Sequence, residues 1–131
     1  MRIIVADDSA TARLVIRKCL EIAGCWGAEF TDAADGEQAL RHARRERPDL
    51  LVTDLTMPVM DGEKLLAAIC ADEGLAGLPV LVITSAKNPA KEAELSACGA
   101  FAVLAKPVQP ATLAAVLRPL LQEATGGRKG W

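Results

Sequence analysis

Aromatic residues are scarce in this 131-residue chain, which contains two Phe, two Trp and no Tyr. Hydrophobic residues still make up 51% of the sequence, so we expect a core of Leu, Val, Ile and Ala. A chain of this length typically forms one domain that buries a core without disulfides. We expect one of the few aromatic residues, Trp26, to pack in the loop before the second strand.

The sequence also lacks an excess of charge of one sign and any long apolar run. Its 15 basic and 17 acidic residues are interspersed, which argues against a nucleic-acid-binding face. No apolar run approaches the length of a membrane span. The N-terminus reaches acidic residues after only a few apolar ones, too few for a signal peptide. We therefore expect a cytoplasmic protein with no direct contact to nucleic acid or membrane.

The four cysteines do not form a recognisable site. None is part of a C-x-x-C pair, and the single histidine, His42, is close to none of them in sequence. A zinc site or a disulfide framework is therefore not expected. We interpret the cysteines as small buried hydrophobic residues in a reducing compartment.

Apolar runs alternate with segments of helical period along the whole chain. The predicted strands are 2–7, 28–33, 49–54, 78–86 and 101–107. The predicted helices are 10–24, 35–48, 62–74, 88–100 and 109–124, with Asp35 and Asn88 as N-caps. Strict alternation indicates βαβ units, and hence an α/β fold with a parallel sheet covered by helices on both faces.

The end of the chain carries two local expectations. Pro119 lies inside the last predicted helix, where proline removes a hydrogen bond and clashes with the preceding turn. We therefore expect a kink or an early end near residues 115–119. The domain is expected to cover residues 1–124, and 125–131 to be a tail or a linker.

Polar residues stand at the ends of four predicted strands. They are Asp7 and Asp8, Asp54, Thr84 and Ser85, and Lys106 followed by Pro107. In an open α/β sheet ligands bind at the carboxyl ends of the strands, so we expect these side chains to converge at one edge. Taken singly, each has an ordinary explanation, such as a cap on the first helix for Asp8 or Ser9.

Carboxylates that lie close together repel one another, and a hard divalent cation relieves that repulsion. Asp7, Asp8 and Asp54, with a backbone carbonyl just after Asp54, would suit Mg²⁺. A carboxylate can also act as a nucleophile toward a phosphoryl group. The Lys106 ammonium and the Thr84 hydroxyl would then bond the phosphoryl oxygens.

These motifs together resemble the receiver domain of two-component response regulators of the chemotaxis-regulator type. "VADDSATAR" resembles the acidic first strand end, and "LLVTDLTMPVMDG" the phosphoacceptor strand and loop. "VLVITSA" and "GAFAVLAKP" resemble the strands with the switch residue and the lysine. The match covers residues 2 to 123 and implies a flavodoxin-like, doubly wound fold with five strands in the order 2-1-3-4-5 and five helices.

The resemblance implies a role for each site residue. Asp54 would accept a phosphoryl group from the phosphohistidine of a histidine kinase or phosphotransfer protein. Asp7 and Asp8 would hold Mg²⁺ together with Asp54 and the Thr56 carbonyl. Lys106 would pair with the phosphoryl group. Thr84 would act as the switch, together with its neighbour Ser85. The peptide bond between Lys106 and Pro107 would be cis.

Two departures from the family pattern follow. Val103 stands where the family commonly has an aromatic residue that rotates inward when the switch residue moves. Without that aromatic residue, the switch either acts through shifts of the loop and helix near residues 84–99 or is weaker. Alternatively, Val103 is merely a small surface residue. Thr56 and Ala86, at positions that tune dephosphorylation, carry no acid or amide, so slow loss of phosphate is expected.

Three other functions remain open on the sequence. A haloacid-dehalogenase-type phosphatase needs an acid two residues after its nucleophile, where this chain has Thr56. A flavin binder needs a Ser/Thr/Gly-rich first loop and aromatic residues. A pseudo-receiver scaffold would lack some of the acids or the lysine, and all are present here.

The resemblance also defines the expected partners. They are a kinase or phosphotransfer protein, and either a downstream output protein or an output domain that this chain does not contain. A partner face at residues 88–118 is implied, and a phosphorylation-linked dimer is left open. The domain is not expected to be an enzyme, beyond assisting its own phosphotransfer and dephosphorylation.

Overall fold

The computed structural model describes residues 1–85 and 88–126. The strands are β1 Arg2–Ala6, β2 Glu29–Ala33, β3 Leu50–Asp54, β4 Val80–Thr84 and β5 Ala102–Ala105. The helices are α1 Ala10–Leu20, α2 Gly36–Arg45, α3 Gly62–Ala71, α4 Pro89–Ala97 and α5 Pro110–Gly126. Strict alternation of strands and helices is therefore confirmed, although most elements are shorter than predicted.

All strand pairs are parallel, and the strand order is β2-β1-β3-β4-β5. The predicted doubly wound, flavodoxin-like fold is confirmed. The chain starts in β1, moves outward to β2, and then crosses back to β3 on the other side of β1. The carboxyl ends of β1 and β3 therefore flank the point where the winding reverses, which is where ligands bind in such sheets.

The core has two layers, one on each face of the sheet. Ile4, Leu51 and Val82 point into the layer under α2, α3 and α4, whereas Val52 and Leu81 point into the layer under α1 and α5. Every residue of β3 and β4 is buried. Strands covered on both faces need apolar side chains at successive positions, which explains the consecutive aliphatic residues at 50–52 and 80–83.

Four helices begin at a side chain that accepts a backbone N–H. The N-caps are Ser9, Asp35, Asp61 and Asn88, each accepting from the residue three positions later. The predicted caps Asp35 and Asn88 are confirmed, and at the first helix Ser9 rather than Asp8 is the cap. This leaves the Asp8 carboxylate available for the strand-end cluster.

The expectation that Trp26 packs in the loop is wrong, because its side chain is 81% exposed. After α1 the chain widens into a π-helical segment, Glu21–Cys25, in which Gly24 adopts φ 125°. A Cβ on Gly24 would lie 3.0 Å from Leu121 Cδ1 on α5. Leu121 and the buried Cys25 fill this corner of the core, which leaves the indole in solvent.

Pro119 does not end the last helix, so the predicted early end is wrong. The α5 helix continues past Pro119 to Gly126. Because Pro119 has no N–H, the carbonyl of Ala115 loses its helical hydrogen-bond partner. Both residues are exposed, so water can bond that carbonyl instead. The helix thus takes in Thr125 and Gly126 of the predicted tail, and the remainder, 127–131, lies outside the described residues.

The prediction of four buried cysteines holds only in part. Cys25 is buried and Cys19 is half-buried, but Cys70 and Cys98 are exposed. Cys70 lies in the last turn of α3 and Cys98 caps α4, so both are at helix ends rather than on a core-facing side. All four are free thiols. Across the part of the chain that is described, no helix has the length and apolarity needed to cross a bilayer.

Candidate functional site

The site begins at the carboxyl end of β1 with a buried carboxylate. Asp7 is 1% exposed, and its amide continues the sheet by donating to the Ala33 carbonyl at 3.0 Å. Its Oδ1 accepts the Ser9 amide at 2.9 Å. Asp8 follows at the entrance to α1 and is exposed. One carboxylate therefore lies inside the pocket, and the next lies at its rim.

Asp54 ends β3 beside Asp7 and is nearly buried, with 12% of its side chain exposed. Its Oδ1 accepts the amide of Leu55 at 2.8 Å, which fixes the rotation of the carboxylate. The β3 strand is rigid because both of its faces are buried. Asp54 is thus a held carboxylate with a small opening to solvent, which is the arrangement that a nucleophile requires.

Lys106 connects the two buried acids. Its Nζ lies 3.1 Å from Asp7 Oδ2 and 3.2 Å from Asp54 Oδ2. Burial of the ammonium by itself lowers the pKa of Lys106. The hydrogen bonds and the attraction of Asp7 and Asp54 outweigh burial and raise that pKa above its ordinary value. The side chain is therefore a fixed positive charge at neutral pH.

Three carboxylates and one ammonium leave the pocket with a surplus of negative charge. Oxygen atoms of Asp7, Asp8 and Asp54 all lie within 4.8 Å of one another. A donor set made only of oxygen, with one ligand open to water, fits a hard divalent cation such as Mg²⁺. The residues present therefore fit the predicted metal.

The remaining strand-end residues lie along the same edge. Thr84 ends β4 and is buried, and its carbonyl accepts the Lys106 amide at 2.9 Å. Ser85 follows in an exposed turn. Thr56 is an exposed residue of the loop after β3. Ala86, the second position expected to tune dephosphorylation, lies outside the described residues.

Val103 is not at the strand-end cluster and is not a surface residue. It lies on β5, an edge strand, where it pairs with Val82 of β4, and it is 4% exposed, so its interpretation as a small surface residue is wrong. Phe101 precedes β5 and is exposed. The predicted cis bond between Lys106 and Pro107 is present.

The sequence interpretation missed one side chain close to the cluster. Arg13 donates from Nη1 to the carbonyl of Asp7 at 2.6 Å, and from Nε to Asp32 Oδ2 at 3.2 Å. A positively charged side chain in the first turn of a helix is unfavourable because it opposes the helix dipole. An arginine at such a position is therefore a signal that a nearby acceptor binds its guanidinium.

Fold and site together define a flavodoxin-like α/β domain with an acidic, lysine-bridged pocket at its topological switch point. The chain matches the family model of the response regulator receiver domain over residues 3–118. It therefore belongs to the response regulator receiver domain family. This membership favours the receiver function in two-component signalling over the phosphatase, flavin-binding and pseudo-receiver alternatives.

Known proteins of similar sequence and structure agree with this assignment. The chain is 32% identical to the chemotaxis protein CheY of Pseudomonas aeruginosa over 126 residues, which covers 96% of this chain and 100% of that protein. It is 36% identical to CheY-3 of Vibrio cholerae over 113 residues, covering 86% and 85%.

Among solved structures, the chemotaxis response regulator CheY4 of Vibrio cholerae has a TM-score of 0.79 at 34% identity, covering 92% of this chain and 98% of that one. A putative response regulator from Chloroflexus aurantiacus has a TM-score of 0.82 at 28% identity, covering 92% and 97%. The likeness extends over nearly the whole fold, including the strands that carry the site.

Proposed function

We propose that Asp54 is the phosphoacceptor of this receiver domain, and that a histidine kinase or phosphotransfer protein supplies the phosphoryl group. The observation that supports this most directly is the arrangement of Asp54 with Lys106. A rigidly held, slightly exposed carboxylate has an ammonium 3.2 Å away at the edge where the sheet binds ligands. An incoming phosphoryl group would meet a nucleophile and a counter-charge at the same point.

In the proposed transfer, an Asp54 carboxylate oxygen attacks the phosphorus of a phosphohistidine. The P–N bond breaks, the imidazole nitrogen keeps the electron pair, and an acyl phosphate forms on Asp54. The Leu55 amide orients the carboxylate, and Lys106 moves from the two carboxylates toward the new phosphoryl oxygens. Thr84 supplies a hydroxyl from the adjacent strand end.

The residues that would hold Mg²⁺ are Asp7, Asp8, Asp54 and the backbone carbonyl of Thr56. When bound, the metal neutralises negative charge on the carboxylates and on the phosphoryl group. Asp7 is the most deeply buried of these ligands, and Lys106 already offsets part of its charge. Asp8 is exposed and would close the pocket from the solvent side.

Phosphorylation would change partner binding through α4 and the preceding turn. Leu95 is the one buried residue of α4, so little burial holds this helix in place. An ion pair between Lys91 and Glu63, at 2.8 Å, connects it to α3. Because buried Val103 cannot swing as an aromatic residue would, we propose that the switch from Thr84 and Ser85 acts on α4 itself.

The partner would be a separate output protein or an output domain outside this chain, docking on the face made by residues 88–118. We propose no catalytic action on external substrates, because the polar strand-end groups are all used in phosphotransfer. A cytoplasmic location fits the free thiols of Cys70 and Cys98, which are exposed and yet unpaired.

Intact mass after incubation with Mg²⁺ and acetyl phosphate tests the phosphoacceptor. The wild type should gain one phosphoryl group only when Mg²⁺ is present, and Asp54→Asn should gain none. Asp49→Asn is the matched control, because Asp49 immediately precedes β3 at its opposite end and should leave the gain unchanged. A phosphoryl gain in Asp54→Asn would exclude Asp54 as the acceptor.

The same label measures the lifetime of the acyl phosphate. Neither Thr56 nor Ala86 can take a proton from an attacking water, so we expect slow loss of phosphate in Mg²⁺. Loss within seconds would contradict this expectation.

A further inference from the structure

We infer that Arg13 is a positioning residue for the divalent cation, because it fixes the peptide that joins Asp7 to Asp8. This inference rests on the proposed function of the acidic pocket. The Arg13 guanidinium donates to the Asp7 carbonyl oxygen at 2.6 Å, and that carbonyl belongs to the Asp7–Asp8 peptide. Its contact is therefore with the backbone between two carboxylates, not with either carboxylate.

The position of Asp8 depends on this peptide. Asp7 is fixed independently, since its side chain is buried and bonded to the Ser9 amide and to Lys106. Asp8 is exposed, so packing does little to hold it. The orientation of its carboxylate follows from the plane of the preceding peptide, which Arg13 holds. A ligand that is already in place loses less conformational freedom when the cation binds.

Arg13 is itself held on the other side by β2. Its Nε donates to Asp32 Oδ2 at 3.2 Å, and its side chain is only 16% exposed. Asp32 also pairs through Oδ1 with Arg17 at 3.5 Å, one turn further along α1. Arg17 in turn lies over the Phe30 ring at 5.1 Å. The planar guanidinium of Arg13 thus bridges a backbone carbonyl and a carboxylate, which lysine cannot reproduce.

The charge of Arg13 is compatible with a cation site nearby. Asp32, which Arg13 shares with Arg17, offsets part of the guanidinium charge, and the guanidinium bonds a backbone carbonyl rather than the carboxylate oxygens that would bind the cation. Lys106 differs, because it bonds the carboxylates themselves and occupies their oxygen atoms. The two basic residues therefore have separate roles: Arg13 sets the geometry of the ligands, and Lys106 balances their charge.

Mg²⁺ titration by calorimetry, without any phosphodonor, compares the wild type with Arg13→Met and Arg17→Met. Arg17→Met is the matched control, because it removes the neighbouring arginine that shares Asp32 but does not touch Asp7. We expect Arg13→Met to weaken Mg²⁺ binding about 10-fold, as changes to groups that orient metal ligands do. Arg17→Met should change the affinity less than about twofold, and Arg13→Lys should restore it only in part.

Two further measurements separate positioning from general destabilisation. The Ser9 amide belongs to the peptide that follows Asp8, so it moves with Asp8 even though the Asp7 side chain that accepts its hydrogen bond is fixed. Its hydrogen exchange should therefore accelerate in Arg13→Met even without Mg²⁺. Asp32→Asn alone should weaken Mg²⁺ binding. Added to Arg13→Met, it should weaken binding no further, because both changes break the same Arg13–Asp32 bridge. Saturating Mg²⁺ should restore the maximal phosphorylation rate of Arg13→Met.

The outcomes are distinguishable. Equal loss of affinity in Arg13→Met and Arg17→Met would overturn the inference, since the effect would then be one of general charge or stability. Unchanged affinity and unchanged Ser9 exchange in Arg13→Met would also overturn it. If the wild type itself bound no Mg²⁺, the proposed metal site would fail, and Ser9 exchange would still decide whether Arg13 holds the loop.

Discussion

Lys106 is the residue whose charge governs the pocket, and its removal has opposite effects on folding and on metal binding. Lys106→Met keeps the aliphatic stem but leaves Asp7 and Asp54 without their ammonium. We expect the free energy of unfolding in the absence of Mg²⁺ to fall by about 1 kcal/mol, since the ammonium is partly solvated. Mg²⁺ affinity should rise, because the cation no longer competes with Lys106. Denaturant unfolding with and without Mg²⁺ measures both effects.

Lys91→Met is the control for this prediction. Lys91 is also an ammonium between two acids, Glu63 and Glu94, but it lies outside the strand-end cluster. Its removal should leave Mg²⁺ affinity unchanged. A Lys106→Met variant that bound Mg²⁺ more weakly than the wild type would show that the lysine does not compete with the metal.

The stability difference between the wild type and Lys106→Met should also depend on pH in one direction. The folded-state pKa of Lys106 is raised above its ordinary value of 10.5, so its contribution is complete below pH 10.5. That contribution is lost as the pH rises through the raised pKa. The difference should therefore be constant around neutral pH and shrink in the alkaline range.

Gly62 is a second residue whose identity the site requires. A Cβ at this position would lie 2.3 Å from the Asp54 carbonyl oxygen and 2.9 Å from Leu55 Cα. Because both are backbone atoms, Gly62→Ala must displace the loop that carries Asp54. We expect a loss of about 1–3 kcal/mol in the free energy of unfolding, with slower phosphorylation by acetyl phosphate.

Gly74→Ala is the comparison for Gly62→Ala. A Cβ there would meet only the Asp72 side chain, at 3.2 Å, far from the site. We expect a smaller loss of stability and a normal phosphorylation rate. If Gly62→Ala were as stable and as readily phosphorylated as the wild type, the loop would be more adaptable than its contacts indicate.

The α5 helix contains a proline that the fold tolerates but does not need. Pro119 removes one helical hydrogen bond, and its surroundings are exposed. Pro119→Ala should raise the free energy of unfolding by about 1–3 kcal/mol, because the N–H returns and the ring clash disappears. Pro110→Ala should give no such gain, since Pro110 is the first residue of α5, where proline fits. Denaturant unfolding of both variants checks this, and equal stability of Pro119→Ala and the wild type would contradict it.

The alternation of elements could be predicted because each element carries its own local signal. β3 and β4 are buried on both faces and begin with consecutive aliphatic residues, and α2 and α4 start at the predicted caps Asp35 and Asn88. The continuation of α5 past Pro119 could not be predicted from propensity. It depends on which side of the helix faces water, and this is set by tertiary packing.

The site was predictable for the same reason, since parallel strands bring their carboxyl ends to one edge. Asp7, Asp8, Asp54 and Lys106 meet there as expected. The exposure of Trp26 and the burial of Val103 were not predictable, because both depend on neighbours distant in sequence. Leu121 closes the corner near Trp26, and Val82 lies beside Val103.

The two core layers share one sheet, so they should unfold together. Every residue of β3 is buried, and its side chains alternate between the layers. Unfolding of either layer would therefore expose one face of β3, although the other layer still packs against the opposite face of that strand. Small domains with such shared elements usually unfold in one cooperative transition.

The cysteines provide a direct test of this cooperativity. Cys25 is buried in the layer under α1 and α5, and burial raises the pKa of its thiol. Cys70 and Cys98 are exposed at helix ends and should react with a thiol reagent at once.

If unfolding is global, Mg²⁺ bound at the strand ends should slow labelling of Cys25 by the same factor by which Mg²⁺ binding increases the folded-to-unfolded ratio. Labelling of Cys70 and Cys98 should not change. Mg²⁺-independent labelling of Cys25 would mean instead that the π-helical corner opens locally, and the two layers would then not form a single cooperative unit.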